Sequence, residues 1–173
     1  MTKKILSILM VCALAVCMCI PAFAAEPSAA TPYAAIYTNY KIRSKAHSWH
    51  GLRGNDTTGV VDLAFGSGDS WTIGRCAGVS KLYLTSTIGT PSQMVVSADS
   101  YGRAATMTDE NAPNDQTAIE FYTIQHNGRT DCRGDIVHIT FTKLGKDLRA
   151  QSMTTVNTAP YNESSNEQKW KLE

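Results

Sequence analysis

The chain has 173 residues, 43% of them hydrophobic, with 16 Lys plus Arg against 15 Asp plus Glu. That length suits one domain with a substantial core and leaves too little chain for two comfortable ones. A balance this close to neutral, with Lys41, Arg43 and Lys45 as its one small basic cluster, argues against nucleic-acid binding and against polybasic attachment to a membrane.

Lys3 and Lys4 form a short positive segment, followed by an apolar run from Ile5 to Ile20, Pro21, and then Ala22-Phe23-Ala24. This is the pattern of a signal peptide spanning residues 1–24, with small residues where signal peptidase requires them. The expected localisation is therefore secreted, into the extracellular space. The apolar run is too short to read as a membrane span, and no second one follows, so no span is expected in the mature chain. An uncleaved N-terminal anchor is the alternative. A lipoprotein is disfavoured because Cys12, Cys17 and Cys19 follow Val11, Val16 and Met18 in place of a small residue. Cleavage after residue 24 leaves 149 of the 173 residues and removes two lysines, giving 14 basic against 15 acidic side chains. Residues 25–32, rich in Ala and Pro, read as a flexible leader, and residues 33–173 as the folded domain.

Three of the five cysteines leave with the signal peptide, and Cys76 and Cys132 remain. An even pair in an oxidising compartment favours a disulfide, which would close a long loop and contribute about 4 kcal/mol. Two free buried thiols are the alternative. Isolated cysteines lack the paired spacing of a zinc site.

From Tyr40 onward the apolar pattern has period two. Tyr40 and Ile42 alternate with Lys41 and Arg43, and Val61, Leu63 and Phe65 with Asp62 and Ala64, ending in Gly66-Ser67-Gly68-Asp69. Trp71 and Ile73, Leu82 and Leu84, Met94 to Val96, and Ala104 to Met107 follow. Ile119, Phe121 and Thr123 precede Asn127-Gly128; Val137, Ile139 and Phe141 come next, and then a run from Leu148 to Val156. Residues that favour strands dominate, punctuated by Gly, Asn, Asp and Pro, which predicts an all-β fold: a small antiparallel sandwich or barrel of about seven to nine strands. No internal repeat is evident. Asn127-Gly128 suits a tight hairpin turn, because both residues accept positive φ; it should join a strand ending near His126 to one beginning near Thr130. Ser164 to Leu172 fits a capped helix or a strand equally well.

Few residues suggest chemistry. Gly68-Asp69-Ser70 matches the opening of Gly-Asp-Ser esterases, but such a nucleophile sits after the first strand of an α/β sheet, and the helices of that sheet are missing from the pattern. The segment reads as a loop. Of the four histidines, His47 and His50 point to opposite faces of an extended segment, and His138 should lie on the outer face of its strand. Asp109, Glu110, Asn111, Asn114 and Asp115 crowd one loop, but without the alternating spacing of a dedicated calcium loop. No catalytic residue, metal site or cofactor is expected. Trp49 interrupts a polar stretch of His47, Ser48 and His50 where no inward partner is evident. Trp49, His47, His50 and Tyr40 are accordingly the candidate binding residues, offering flat rings suited to weak stacking contacts.

Tyr37-Thr38-Asn39-Tyr40 and Ser44-Lys45-Ala46-His47-Ser48 resemble a Tyr-Ser-Asn-Tyr … Ser-Lys-x-His-Ser stretch of the lactococcin 972-type bacteriocins. The resemblance is confined to these residues. It implies a small secreted β-sandwich acting on the cell envelope of other bacteria through a wall precursor. The expected function is thus a non-enzymatic extracellular domain whose partner is a glycan, a wall polymer or a protein, with a bacteriocin-like antimicrobial as the alternative.

Overall fold

The computed structural model describes residues 34–55, 58–76, 78–85 and 91–173, without the side chains of 34–38, 76 and 91–93. The signal-peptide and leader readings (1–24 and 25–32) lie outside the described residues.

Twelve strands follow in order: β1 (Ala34–Ser44), β2 (His50–Asn55), β3 (Val60–Phe65), β4 (Ser70–Cys76), β5 (Val79–Thr85), β6 (Pro91–Ser97), β7 (Thr106–Asp109), β8 (Ile119–Gln125), β9 (Ile136–Phe141), β10 (Lys146–Ser152), β11 (Thr155–Pro160) and β12 (Trp170–Leu172). A four-residue helix, α1 (Asn114–Thr117), precedes β8, and a 3₁₀ turn at Asn166–Gln168 precedes β12.

The pairings resolve into a closed ring and three hairpins. β1 pairs with β4, β4 with β5, β5 with β8, β8 with β9, β9 with β12, and β12 returns to β1, every pair antiparallel. The remaining strands pair as the hairpins β2–β3, β6–β7 and β10–β11. Each hairpin is tied to the first strand of its own group of four, through Arg43↔Gly51, Tyr83↔Val95 and Phe141↔Lys146. The hairpins also meet one another, through Val60↔Thr106 and the bridge Ala104↔Asn157. Three units of four strands thus build one six-stranded barrel and a cap of three hairpins, the β-trefoil arrangement. Closing the barrel removes the exposed edges an open sheet would present.

The all-β antiparallel reading holds, and of its two forms the barrel is the one realised, with twelve strands in place of seven to nine. The extra strands come from three places, one of them β12 in the segment that fits a helix or a strand equally well. His50–Asn55 carries two glycines and little alternation, and the run read as one strand from Leu148 to Val156 folds back at Met153-Thr154 into β10 and β11. An internal threefold repeat exists where none was evident in the sequence. The hairpin expected around Asn127-Gly128 does form, since Gln125 pairs with Ile136, but the connection runs from His126 to Asp135 before β9 begins. The Ser164–Leu172 segment splits into the 3₁₀ turn and β12.

Alternate residues of the barrel strands converge on one core containing Ile42, Leu52, Trp71, Leu82, Ile139, Leu148 and Trp170. Trp71 and Trp170 are fully buried, and each indole N–H donates to a backbone carbonyl, Leu52 and Leu148 respectively, at 3.0 Å. Burying a Trp without such a partner would leave a polar group stranded in the apolar interior.

Two expectations about single residues are corrected. His138 is buried, at 1% exposure, and does not face solvent. Its position in β9 does point it away from the barrel interior, but Asp147 of β10 and the ring of Tyr161 cover it there. Tyr40 is 3% exposed and joins the core opposite Trp71, its hydroxyl donating to the Asp131 carbonyl.

The expected bridge between Cys76 and Cys132 is not part of this structure. Cys132 is a free, half-buried thiol packed against the core, and the side chain of Cys76 lies outside those described. The backbone gives the reason. The Tyr40–Asp131 bond holds the Cys132 loop beside the Trp71 end of β4. Cys76 lies five residues beyond Trp71 on that strand, a rise of roughly 16 Å at ~3.3 Å per residue, while a disulfide needs Cα atoms within about 7 Å.

Candidate functional site

The loop from Lys45 to Trp49 joins β1 to β2, and the residues at its exit face the end of β3. His50 pairs directly with Phe65 across the β2–β3 hairpin. Their rings meet edge to face, 5.7 Å apart between centroids. The His47 ring stands 6.4 Å from that of His50, again edge to face. Trp49 is 71% exposed and Phe65 81% exposed. The amide of Gly66 donates to the Trp49 carbonyl at 2.7 Å, which ties the chain after Phe65 to the loop that carries Trp49. The rings of His47, His50 and Phe65 therefore meet at the base of one hairpin, with Trp49 in the loop beside them, and Trp49 and Phe65 present most of their surface to solvent.

Several local features hold this platform in place. The Ser44 hydroxyl accepts the amide of His47 at 3.1 Å, and the His47 carbonyl accepts the amide of His50 at 2.8 Å, so the loop is a stack of tight turns. Arg43 donates to the Ser48 carbonyl at 3.2 Å while pairing with Glu173 at 2.9 Å. Behind the platform the chain passes very close to itself. A Cβ on Gly51 would overlap the carbonyl of Ser67, and a Cβ on Gly68, which has φ +65°, would overlap that of Leu52. Only glycine permits this approach.

Of the residues expected to bind, Trp49, His47 and His50 come together here. Tyr40 does not, because it belongs to the core. Phe65 was missed: it keeps phase with Val61 and Leu63, which are buried, but it ends the strand, where the core no longer reaches. His47 Nε2 is shielded from solvent and has no hydrogen-bond partner, leaving one polar atom beneath the platform unsatisfied. The stretch resembling the lactococcin 972-type bacteriocins maps onto β1 and this same loop.

The other sequence features have structural roles. Gly66 to Asp69 carries the chain from β3 to β4, and Asp69 accepts the amide of Gly54 at 3.0 Å. In the Asp109–Asp115 loop the buried ammonium of Lys81 donates to the carbonyls of Glu110 and Ala112, taking up oxygens a cation would need. No group of three or more His, Cys, Asp or Glu side chains placed to hold a metal occurs among the described residues. No helix among them is long and apolar enough to cross a membrane.

No protein-family model matches the chain, and no curated protein matches it in sequence. Solved structures share its fold. A designed threefold-symmetric protein, ThreeFoil, superposes with a TM-score of 0.56 at 15% identity, over 77% of this chain and 96% of that one. The endo-β-galactosidase of Clostridium perfringens that releases GlcNAcα1-4Gal superposes with a TM-score of 0.54 at 11% identity, over 78% of this chain and 32% of that one. At these identities the likeness establishes the fold and nothing finer: the chain is similar to a threefold-symmetric protein and to one part of a glycan-acting enzyme.

Proposed function

We propose that the chain is a secreted, non-enzymatic domain that binds a surface glycan or wall polymer on the platform formed by Trp49, His50 and Phe65. The observation that carries this reading is the contact of the exposed Phe65 ring with His50 at the base of one hairpin, with the exposed Trp49 held in the neighbouring loop by the backbone bond from Gly66. Apolar surface concentrated in this way marks a contact site more often than it occurs by chance. A sugar ring presents an apolar face of C–H groups that stacks on such a platform, and its hydroxyls find the imidazoles of His47 and His50 at the side. The platform supplies stacking area and lacks a nucleophile with a base beside it, an arrangement suited to holding a ligand, not to transforming one. Secretion rests on Lys3, Lys4, the apolar run and Ala22-Phe23-Ala24. The similarity to part of a glycan-acting enzyme agrees in kind with a glycan ligand.

Each aromatic contact contributes about 0.5–1.5 kcal/mol beyond burial, so a single open platform should bind with micromolar or weaker affinity. Co-sedimentation with insoluble peptidoglycan and with insoluble neutral polysaccharides tests the reading. Retention of the native chain and its loss in Trp49→Ala, at unchanged melting temperature, are the expected results. If no polymer retains the chain, or if Trp49→Ala is retained like the native protein, the platform is not the site.

A further inference from the structure

The third unit carries an aromatic side chain one residue beyond the place corresponding to Phe65. Phe65 ends β3 opposite His50; Tyr161 directly follows Pro160, which ends β11 opposite Lys146. Beside Tyr161 the surface forms a shallow, open cleft. It has a volume of about 310 Å³ and is lined by Tyr122 of β8, Thr140 of β9, Gly145 of the β9–β10 turn, and Tyr161. We propose that this cleft is a second binding site, taking a single neutral pyranose ring. The inference rests on the glycan-binding reading and adds to it a separate site of defined chemistry.

The volume lies at the lower end of the ~300–1,000 Å³ typical of small-molecule pockets, enough for about one ring. Two tyrosine rings, 52% and 58% exposed, supply apolar faces for the C–H surface of a sugar. None of the four lining residues is charged. The carboxylate beneath them, Asp147, is buried with both oxygens engaged: Oδ2 with His138 Nδ1 at 2.5 Å, and Oδ1 with the Thr140 hydroxyl at 2.6 Å. Glu120 stands at the rim, where one of its oxygens accepts the Tyr122 hydroxyl at 2.7 Å. That contact raises the Tyr122 phenol above its ordinary value, so the hydroxyl stays protonated and neutral. An anion would find no counter-charge in the cleft, and a cation no free carboxylate inside it.

An independent observation points to a ligand hydroxyl. His138 lies directly across from Tyr122 in the β8–β9 ladder, and its ring is covered by Tyr161 at 4.9 Å. Its Nε2 is buried and has no hydrogen-bond partner. Asp147 Oδ2 engages Nδ1, which leaves Nε2 as the ring's unfilled hydrogen-bonding position. A sugar hydroxyl, which can both donate and accept, would fill it on entering beside a shifted Tyr161 ring, whereas neither an aliphatic nor a purely aromatic ligand would.

Titration of the ¹⁵N-labelled chain with galactose, glucose, mannose or N-acetylglucosamine, each alone up to about 50 mM, covers the weak affinity of one small pocket. At least one sugar should shift the amides of Thr140, Gly145 and Tyr161 and the ring nitrogens of His138. Tyr161→Ala should weaken that response about tenfold or more, while Trp49→Ala should leave it in place. Both tyrosines are half-exposed, so amide dispersion will verify that the variants fold. Absence of these shifts with all four sugars, or shifts that persist unchanged in both Tyr161→Ala and Tyr122→Ala, would overturn the proposal. The two readings separate cleanly. Polymer retention that needs Trp49, with a silent cleft, removes only the second site. A responsive cleft in a chain no polymer retains removes the platform.

Discussion

Trp71 and Trp170 occupy matching positions in two of the three units, each donating its indole N–H at 3.0 Å to the carbonyl of a leucine, 19 residues earlier for Trp71 and 22 for Trp170. Each indole closes its own unit, because the leucine lies on the second strand and the tryptophan on the fourth. Trp170→Phe should therefore act on the fold: it leaves the Leu148 carbonyl buried without its donor, at about 1–3 kcal/mol, and opens a small void besides. Chemical denaturation should show a loss of about 2–4 kcal/mol, and Trp71→Phe a similar one. A loss below about 0.5 kcal/mol in both, the range of an ordinary surface change, would mean that the indoles do not hold their units closed.

Acid should destabilise the domain through carboxylates held ionised at its surface. The Arg129 side chain, hydrogen-bonded to Asp131, holds that carboxyl down at about 2. Partial burial opposes ionisation of Glu173, but hydrogen bonds from Arg43 and Lys171 outweigh it, and its carboxyl also lies below the ordinary value. In both cases the folded state binds protons less readily than the unfolded chain, whose carboxyls titrate near 4. The stability they give is thus complete above about pH 5 and is lost as the pH falls toward 2. The melting temperature should be level from pH 7 to 5 and decline below about 4, less steeply in Asp131→Asn. A melting temperature that stays level down to pH 2 would show that these contacts do not contribute.

The strand class was legible because period-two alternation is a local property, carried by runs such as Val137, Ile139 and Phe141. The threefold plan was not, because matching positions hold different residues. Where the first and third units have Trp71 and Trp170 near the start of their closing strand, the second has Ile119. Trp49 could be found from its polar neighbours alone. Phe65 could not, because its phase is that of a core residue and only the end of β3 exposes it. Period two gave His138 its correct face, but not the burial supplied by Asp147 and Tyr161, which come from later in the chain. Cys76 and Cys132 show the same limit: parity and compartment suggest a bridge, and only the Tyr40–Asp131 bond shows that the Cys132 loop sits toward the Trp71 end of β4, with Cys76 at the other end.

Gly51 and Gly68 should tolerate no side chain. The two backbones pass so closely that a Cβ on Gly51 meets the Ser67 carbonyl, a backbone atom unable to rotate away. Gly51→Ala must push β2 from the Gly66–Asp69 connection, at a cost of about 1–3 kcal/mol, as in overpacked cores. Because Phe65 leads directly into that connection, polymer retention should fall along with the melting temperature. Gly128→Ala makes the contrast: φ +83° strains it, but nothing lies within 4 Å and it is remote in sequence from the platform. It should lower stability and leave retention intact. Equal effects of the two variants on retention would disconnect the close approach from the site.

Replacing Phe65 separates binding from folding most sharply. Phe65 is 81% exposed, whereas Phe141 is fully buried in the core. Phe141→Ala should cost about 3–5 kcal/mol, the usual range for emptying a buried aromatic site. Phe65→Ala removes almost no buried area and should change stability by no more than about 0.5 kcal/mol. It does remove one stacking surface, worth about 0.5–1.5 kcal/mol, so polymer affinity should fall by a factor of roughly 2 to 12. Trp49 shares the platform, so the double variant Trp49→Ala, Phe65→Ala should lose less than the two single losses combined, as expected of residues contacting one ligand. Strictly additive losses would place the two rings on separate contacts, and a destabilised Phe65→Ala would return that ring to the core.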